Sequence, residues 1–229
     1  MNKWFKTILY LLGAAILTRF IPFSSWFRIM DTMIHELGHA VTTLLLSGRV
    51  KSIALYPDHS GATLSVVASG WRTILVSLSG YMSASLFSVL MFHGYAKRKQ
   101  GEGLLAISGV AVLMILLFVQ NGYGIIWLTI FVIITLAIYF IGPRVRNAYY
   151  LLLAFLSLEE SVMGPFSLLL YSFQRPGRAG DATNLALQTS VPAFVWALLF
   201  LVFALWCAKL ALSLFWSKRS GVQTRVRNM

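Results

Sequence analysis

Runs of apolar residues, cut at intervals by short polar clusters, organise most of this chain. In hydrocarbon every backbone amide must be bonded internally, so uncharged apolar runs of about 17 to 25 residues are predicted to be spanning helices. Thr73 to Ala96 forms one clear span. The uncharged stretch from Gly103 to Pro143 is too long for a single helix, and Gln120-Asn-Gly-Tyr-Gly124 breaks it into two. Asn147 to Phe173 makes another, interrupted by Glu159-Glu160 and with a kink expected near Gly164-Pro165. The last run, Ala182 to Trp216, would be roughly 50 Å long as one helix, and Pro192 divides it into a short helix and a terminal span. Near the start, Thr7 to Thr18 lies uncharged between Lys6 and Arg19. It has the length of a signal-peptide core, but no small-residue cleavage site follows, so a retained helix with snorkelling ends is expected.

A further helix is expected over residues 26–47, and a different pattern follows it over 50–68. Val50 to Tyr56 and Ala62 to Ala68 are short and rich in β-branched residues, and they flank a Pro-Asp-His-Ser-Gly turn, which predicts a β-hairpin. An open sheet edge cannot face lipid, so the hairpin is expected at the interface or against a protein cavity. The expected fold is thus an all-α polytopic membrane protein of about six to seven spans, with a small membrane-associated β-hairpin. It is read as one domain over 1–229, with a loop and short helix at 173–191 and a basic tail at 217–229.

Composition agrees with this pattern, at 58% hydrophobic and 11% charged residues with a mean hydropathy of +0.76. The net charge of +12 sits in short Lys and Arg clusters between apolar runs. That suits snorkelling and contact with anionic lipid headgroups, and argues against nucleic acid. A multi-pass position in a cell membrane, bacterial inner or plasma membrane, is expected. Placing Lys218, Arg219, Arg225 and Arg227 in the cytoplasm also puts Lys97 to Lys99, Arg144 and Arg146 there. With most of the length used for spans, regulation is expected to come from a membrane partner, lipids or the substrate. Cys207 is the sole cysteine, so any metal must be held by His, Asp or Glu.

Against that apolar background the window Met33-Ile-His-Glu-Leu-Gly-His-Ala-Val41 stands out. Residues four apart on a helix point to the same side, so His35 and His39 lie one turn apart on one face. Two such imidazoles can grip one zinc ion while Glu36 reaches a water beside it. With 4 His and 4 Glu in 229 residues, a chance match is expected roughly once in a thousand such chains. Polar residues satisfied by neighbouring helices are the alternative, but three ionisable groups inside a span are costly without a metal. The chemistry that follows is peptide-bond hydrolysis, with Glu36 as general base and then acid.

A catalytic zinc site needs a third protein ligand and an open position. Asp31, four residues before His35, suits the role of orienting an imidazole. Asp58 and His59 are explained by turn formation, and Glu102 sits in a charged loop. Glu159, Glu160 and Asp181 remain. Asp181 begins a helix next to a long apolar run, where an N-cap is the competing explanation. Glu159 and Glu160, about 100° apart, cannot both face one cavity, and no catalytic role is assigned to them.

The chain resembles the site-2 protease family of intramembrane zinc metalloproteases, particularly its small bacterial members. The likeness rests on His35-Glu-Leu-Gly-His-Ala40 in an early hydrophobic helix, Gly48-Arg-Val50 and the hairpin, Gly80-Tyr81, and the distal Gly180-Asp-Ala182. The resemblance implies that His35, His39 and Asp181 hold one Zn2+ and that Glu36 is the catalytic base. It also implies a substrate that is another membrane protein, cut in or near a transmembrane segment, with the hairpin clamping the unwound chain or plugging the site. The family's distal motif usually reads Asp-Gly with an Asn eight residues earlier, where this chain has Ala182 and Phe173; Pro176 matches. The competing class is a non-proteolytic membrane protein that binds or moves a divalent metal. A transporter would be expected to show internal repeats and acids in several spans; no repeat is seen, and acids are scarce, with Asp and Glu together numbering 7.

Overall fold

The computed structural model describes residues 3–20, 22 and 24–217. The basic tail from Lys218 onward, on which the expected orientation partly rests, lies outside the described residues. Helix α1, Lys3–Ala15, continues into a π-helical turn, Ile16–Phe20. Helix α2, Ser25–Leu45, carries the His-Glu-x-x-His motif. Strands β1, Arg49–Leu55, and β2, Gly61–Val66, pair antiparallel. Five helices follow: α3, Trp71–Ala96, α4, Gln100–Leu117, α5, Gly122–Ile141, α6, Pro143–Gln174, and α7, Gly180–Thr189, with α8, Ala193–Ser217, closing the order as the sixth.

Each break sits where the chain cannot continue a helix at low cost. Polar Gln120 and Asn121 separate α4 from α5, Pro143 takes the first position of α6, and Pro192 lies between α7 and α8. Pro165, by contrast, is accommodated within α6, which runs without interruption to Gln174. Five of the described helices, α3, α4, α5, α6 and α8, are long and apolar enough to cross a membrane. Counting α1 and α2 as one span broken by a 100° bend brings the total to six. Leu116, Phe140 and Val202 are exposed on the outer surface of the bundle, an arrangement that water would penalise and lipid tails accept. The chain is a polytopic, all-α membrane protein with one small hairpin.

Helix α3 is central, packed against α2, α6, α7 and α8. One core links α2, α4, α5, α6 and the inner residues of β1, including Ile53, Leu55, Trp127 and Phe155. A second cluster ties α7 to α8 through Leu185, Ala197 and Phe200. The second cluster brings the distal loop back to the middle of the bundle.

The terminal charge of the first segment does not snorkel as expected. The Arg19 guanidinium lies 3.2 Å from Glu159 and 2.8 Å from Glu160, and Arg28 of α2 lies 2.9 Å from Glu160. Both glutamates of α6 therefore meet a cation, which two adjacent helical residues achieve because one long arginine reaches across them. These contacts tie the π-helical turn and α2 to α6. Removing one partner from a buried ion pair strands the other charge. Glu160→Ala is expected to lower unfolding stability by about 3 kcal/mol, since Glu159 still meets Arg19 but Arg28 loses its partner. Denaturant titration in detergent measures the loss.

Candidate metal centre

On α2 the helical repeat turns His35 and His39 toward the same side, their rings edge to face with centroids 4.7 Å apart. Their Nε2 atoms are 3.1 Å apart. Asp181 Oδ2 lies 3.2 Å from Nε2 of each. The third candidate ligand thus comes from α7, carried there by the packing of α7 on α3 and α8. The N-cap alternative for Asp181 does not hold: Ala179 occupies the cap position, and Asp181 lies inside the first turn with no capping hydrogen bond.

Several features fit a cation at this point. The Nδ1–H of His39 donates to the Val76 carbonyl at 2.7 Å, which fixes the ring and leaves the Nε2 lone pair directed at the centre. Asp181 Oδ2 is buried and makes no hydrogen bond, although it faces both rings. A single proton can bridge only one pair of these three electron-rich atoms. Donors bound at 2.0–2.1 Å to a tetrahedral ion stand about 3.3 Å apart, close to the separations found here. The space is also kept open: a Cβ on Gly80 would lie 2.6 Å from Nε2 of both His35 and His39. A glycine on α3 is therefore what allows α3 to pass directly over the paired imidazoles. Among the described residues, His35, His39 and Asp181 form the one group of ligand-type side chains close enough to share an ion.

Glu36 is buried and is held by the hairpin. Thr63 Oγ1 of β2 donates to Glu36 Oε2 at 2.6 Å. Gly61, at the start of β2, lies so near that an added Cβ would be 2.5 Å from Glu36 Oε1. One carboxylate oxygen is thus anchored by a hydroxyl, while the other rests against bare backbone.

These groups face a cavity of about 790 Å³ lined by His35, Glu36, Thr63, Tyr81, Ser167 and Asp181, among others. The Tyr81 ring stands edge to face on His35, with centroids 4.5 Å apart. At the hairpin tip, Asp58 Oδ1 accepts from the backbone N–H and hydroxyl of Ser60, and these bonds hold its carboxyl below the usual range. The tip thus serves turn formation, as expected. His59 also lines the cavity, and burial, with Arg28 nearby, pushes its imidazole below the ordinary value.

Asp31 does not orient His35. Its Oδ1 is buried without a hydrogen-bond partner, and its charged surroundings are Glu160, Glu159 and Arg28; Val76, acting on His39, supplies the orienting bond instead. Thr63, Gly61 and Val76 carry no chemical signature in sequence, since two act through backbone position and one is an ordinary strand threonine. Gly80 was visible only as part of the Gly-Tyr likeness.

Fold and site together define a multi-pass membrane protein with a partly buried centre of two histidines and one aspartate beside a buried glutamate. The chain belongs to the family described as Peptidase M50B-like, whose family model matches residues 7–211. It is a membrane metalloprotease by that membership. No curated protein and no solved structure matches the chain.

Because Gly80 leaves room for both imidazoles, Gly80→Ala is expected to weaken metal binding by about 10- to 100-fold, the range typical of disturbed ligand geometry. Titration of the purified protein with zinc against a competing chelator measures it. Gly109→Ala, where a Cβ meets nothing within 4 Å, is the control and is expected to bind as the native protein does.

Proposed function

We propose that the chain is a zinc-dependent intramembrane endopeptidase that hydrolyses a peptide bond in or near a transmembrane segment of another membrane protein. The observation that carries this reading is the convergence of His35, His39 and Asp181 beside a buried, anchored Glu36. The three residues would hold one zinc ion. Zinc bound there supplies a Lewis acid for the scissile carbonyl and lowers the pKa of water toward about 7. Glu36 accepts a proton from the attacking water, using the carboxylate oxygen that Thr63 leaves free, and delivers it to the departing amide nitrogen. A C–O bond forms, the C–N bond breaks, and one water is consumed. Val76 holds His39 in its ligand orientation throughout, and the enclosing helices restrict bulk water.

A helical substrate must unwind before its carbonyl is accessible, and β2 is suited to receive the unwound strand. Ile53 of β1 exchanges backbone bonds with Phe118 and Gln120, so the Ile53–Thr63 pair of the hairpin is not hydrogen-bonded to itself. Thr63 therefore directs its own N–H and C=O to the opposite edge, and Gly61 and Ser65 follow by alternation. Among the described residues no other backbone pairs with that edge of β2, and Gly61, Thr63 and Ser65 all line the cavity. Clamping by β2 is favoured over a plug because the available edge and Glu36 face the same space. The competing metal-transport reading would need a second ion site along the bundle, and the other acids gathered there, Asp31, Glu159 and Glu160, lie beside the cations Arg19 and Arg28; family membership also favours the protease.

Glu36→Gln is expected to keep zinc and to lose cleavage of a reconstituted transmembrane substrate by about 10²- to 10⁴-fold. Native-like cleavage by a zinc-loaded Glu36→Gln would exclude the proton-transfer role. For the clamp, Ser65→Pro removes one donor from the available edge and is expected to slow cleavage at least about tenfold. Unchanged cleavage in a folded, zinc-loaded Ser65→Pro protein would exclude strand addition.

A further inference from the structure

The segment joining α4 to α5 is paired to the outer edge of β1 and acts as a third strand. Ile53 N–H donates to Phe118 O at 2.8 Å, and Gln120 N–H donates to Ile53 O at 3.3 Å. Gln120 Nε2 adds a bond to Lys51 O at 3.1 Å. Asn121 then takes both backbone groups of Leu55: its Oδ1 accepts from Leu55 N–H at 3.1 Å, and its Nδ2 donates to Leu55 O at 2.6 Å. One side chain thus imitates a peptide unit and continues the ladder past the point where the loop turns away.

Asn121 occupies the N-cap position of α5, where an Asn side chain ordinarily satisfies its own helix. Here it makes no capping bond, and the side chain is used on β1 instead. The segment it anchors is buried, with Ile53 and Leu55 at 0% exposure and Val119 at 4%. The attachment is therefore built into the core rather than resting on a mobile surface.

Its position explains what it does. Leu55 pairs with Gly61, and Ile53 pairs with Thr63. Thr63 hydrogen-bonds Glu36, and Gly61 lies so close that it has no room for a Cβ beside the carboxylate. A hairpin of two short strands is weakly stable alone, and a one-residue slip would turn Thr63 away from Glu36. We propose that Asn121 is a positioning residue for the hydrolytic reaction: by gripping Leu55 it fixes the register of the hairpin, and the hairpin in turn holds Glu36 in its working orientation. This rests on the reading of Glu36 as the proton carrier.

Asn121→Ala and Asn121→Asp separate the two halves of the grip. The Asp variant keeps size and the Oδ1 acceptor but loses the donor to Leu55 O. In the full-length protein reconstituted with a transmembrane substrate, both are expected to lower kcat about tenfold, with KM changed less than about twofold and zinc content unchanged. Because Asn121 acts through Thr63, the double variant Asn121→Ala, Thr63→Ala is expected to fall no more than about twofold below Thr63→Ala alone. Loss of zinc by the Ala variant would mark a folding defect, and the near-isosteric Asp variant then decides. Native kcat in Asn121→Asp, or full multiplication of the two defects in the double variant, overturns the inference. With Glu36→Gln run in parallel, native kcat in Asn121→Asp beside an inactive Glu36→Gln removes the positioning role alone. An active Glu36→Gln removes the catalytic reading and this inference with it.

Discussion

The close crossing of α3 over α2 at Gly80 is the constraint on which the site depends. Two imidazoles on one helical face can share an ion only if nothing fills the space in front of them, and the crossing helix presents a hydrogen there instead of a side chain. The same crossing brings the Val76 carbonyl onto His39, so one contact both clears and orients the centre. Asp181 then arrives on a short helix held by α3 and α8. The arrangement is costly in isolation, because buried carboxylate and imidazole groups give up hydration. A bound cation is the natural compensation, and an orphaned Asp181 oxygen aimed at two ring nitrogens marks where it would sit.

Glu36, the proposed base, is held by a second, independent device. Glu36 belongs to the same helix as the histidines, yet its carboxylate is oriented from the hairpin by Thr63 and enclosed by Gly61. The geometry of the proposed ligands and that of Glu36 can therefore be disturbed separately. The hairpin's edges are divided likewise: β1 is taken by the α4–α5 connection, and β2 faces the cavity. A sheet edge without a partner would be penalised in lipid, and the unpaired edge of β2 borders the cavity, where the proposed clamp would place a substrate strand.

Much of this architecture is legible in the sequence. The spans and their breaks at Gln120-Asn121 and Pro192 follow from apolar length and from residues that cannot continue a helix. His35, Glu36 and His39 were legible because their spacing matches one helical turn. Asp181 is legible only by elimination and likeness, since a lone carboxylate in a loop gives no local sign of what it will meet. What stayed hidden was made of backbone bonds and distant pairing. Val76 and Phe118 act through carbonyls, which every residue has. Arg19 read as a snorkelling end because its partners, Glu159 and Glu160, lie far along the chain. Asp31 fits the orienting role by spacing alone, but the fold sets it among the α6 glutamates and leaves its Oδ1 without a hydrogen-bond partner.

Zinc K-edge X-ray absorption on the purified protein tests the central claim most directly, by comparing the native chain with Asp181→Ala. The expected native spectrum is a four-coordinate zinc bound only to nitrogen and oxygen, with the multiple scattering of two imidazoles. The Asp181→Ala sample is expected to lose zinc or to show a changed shell of light ligands with both imidazoles kept. Stoichiometric zinc with an identical spectrum in both proteins, or a zinc site without two imidazoles, would contradict a centre built from His35, His39 and Asp181.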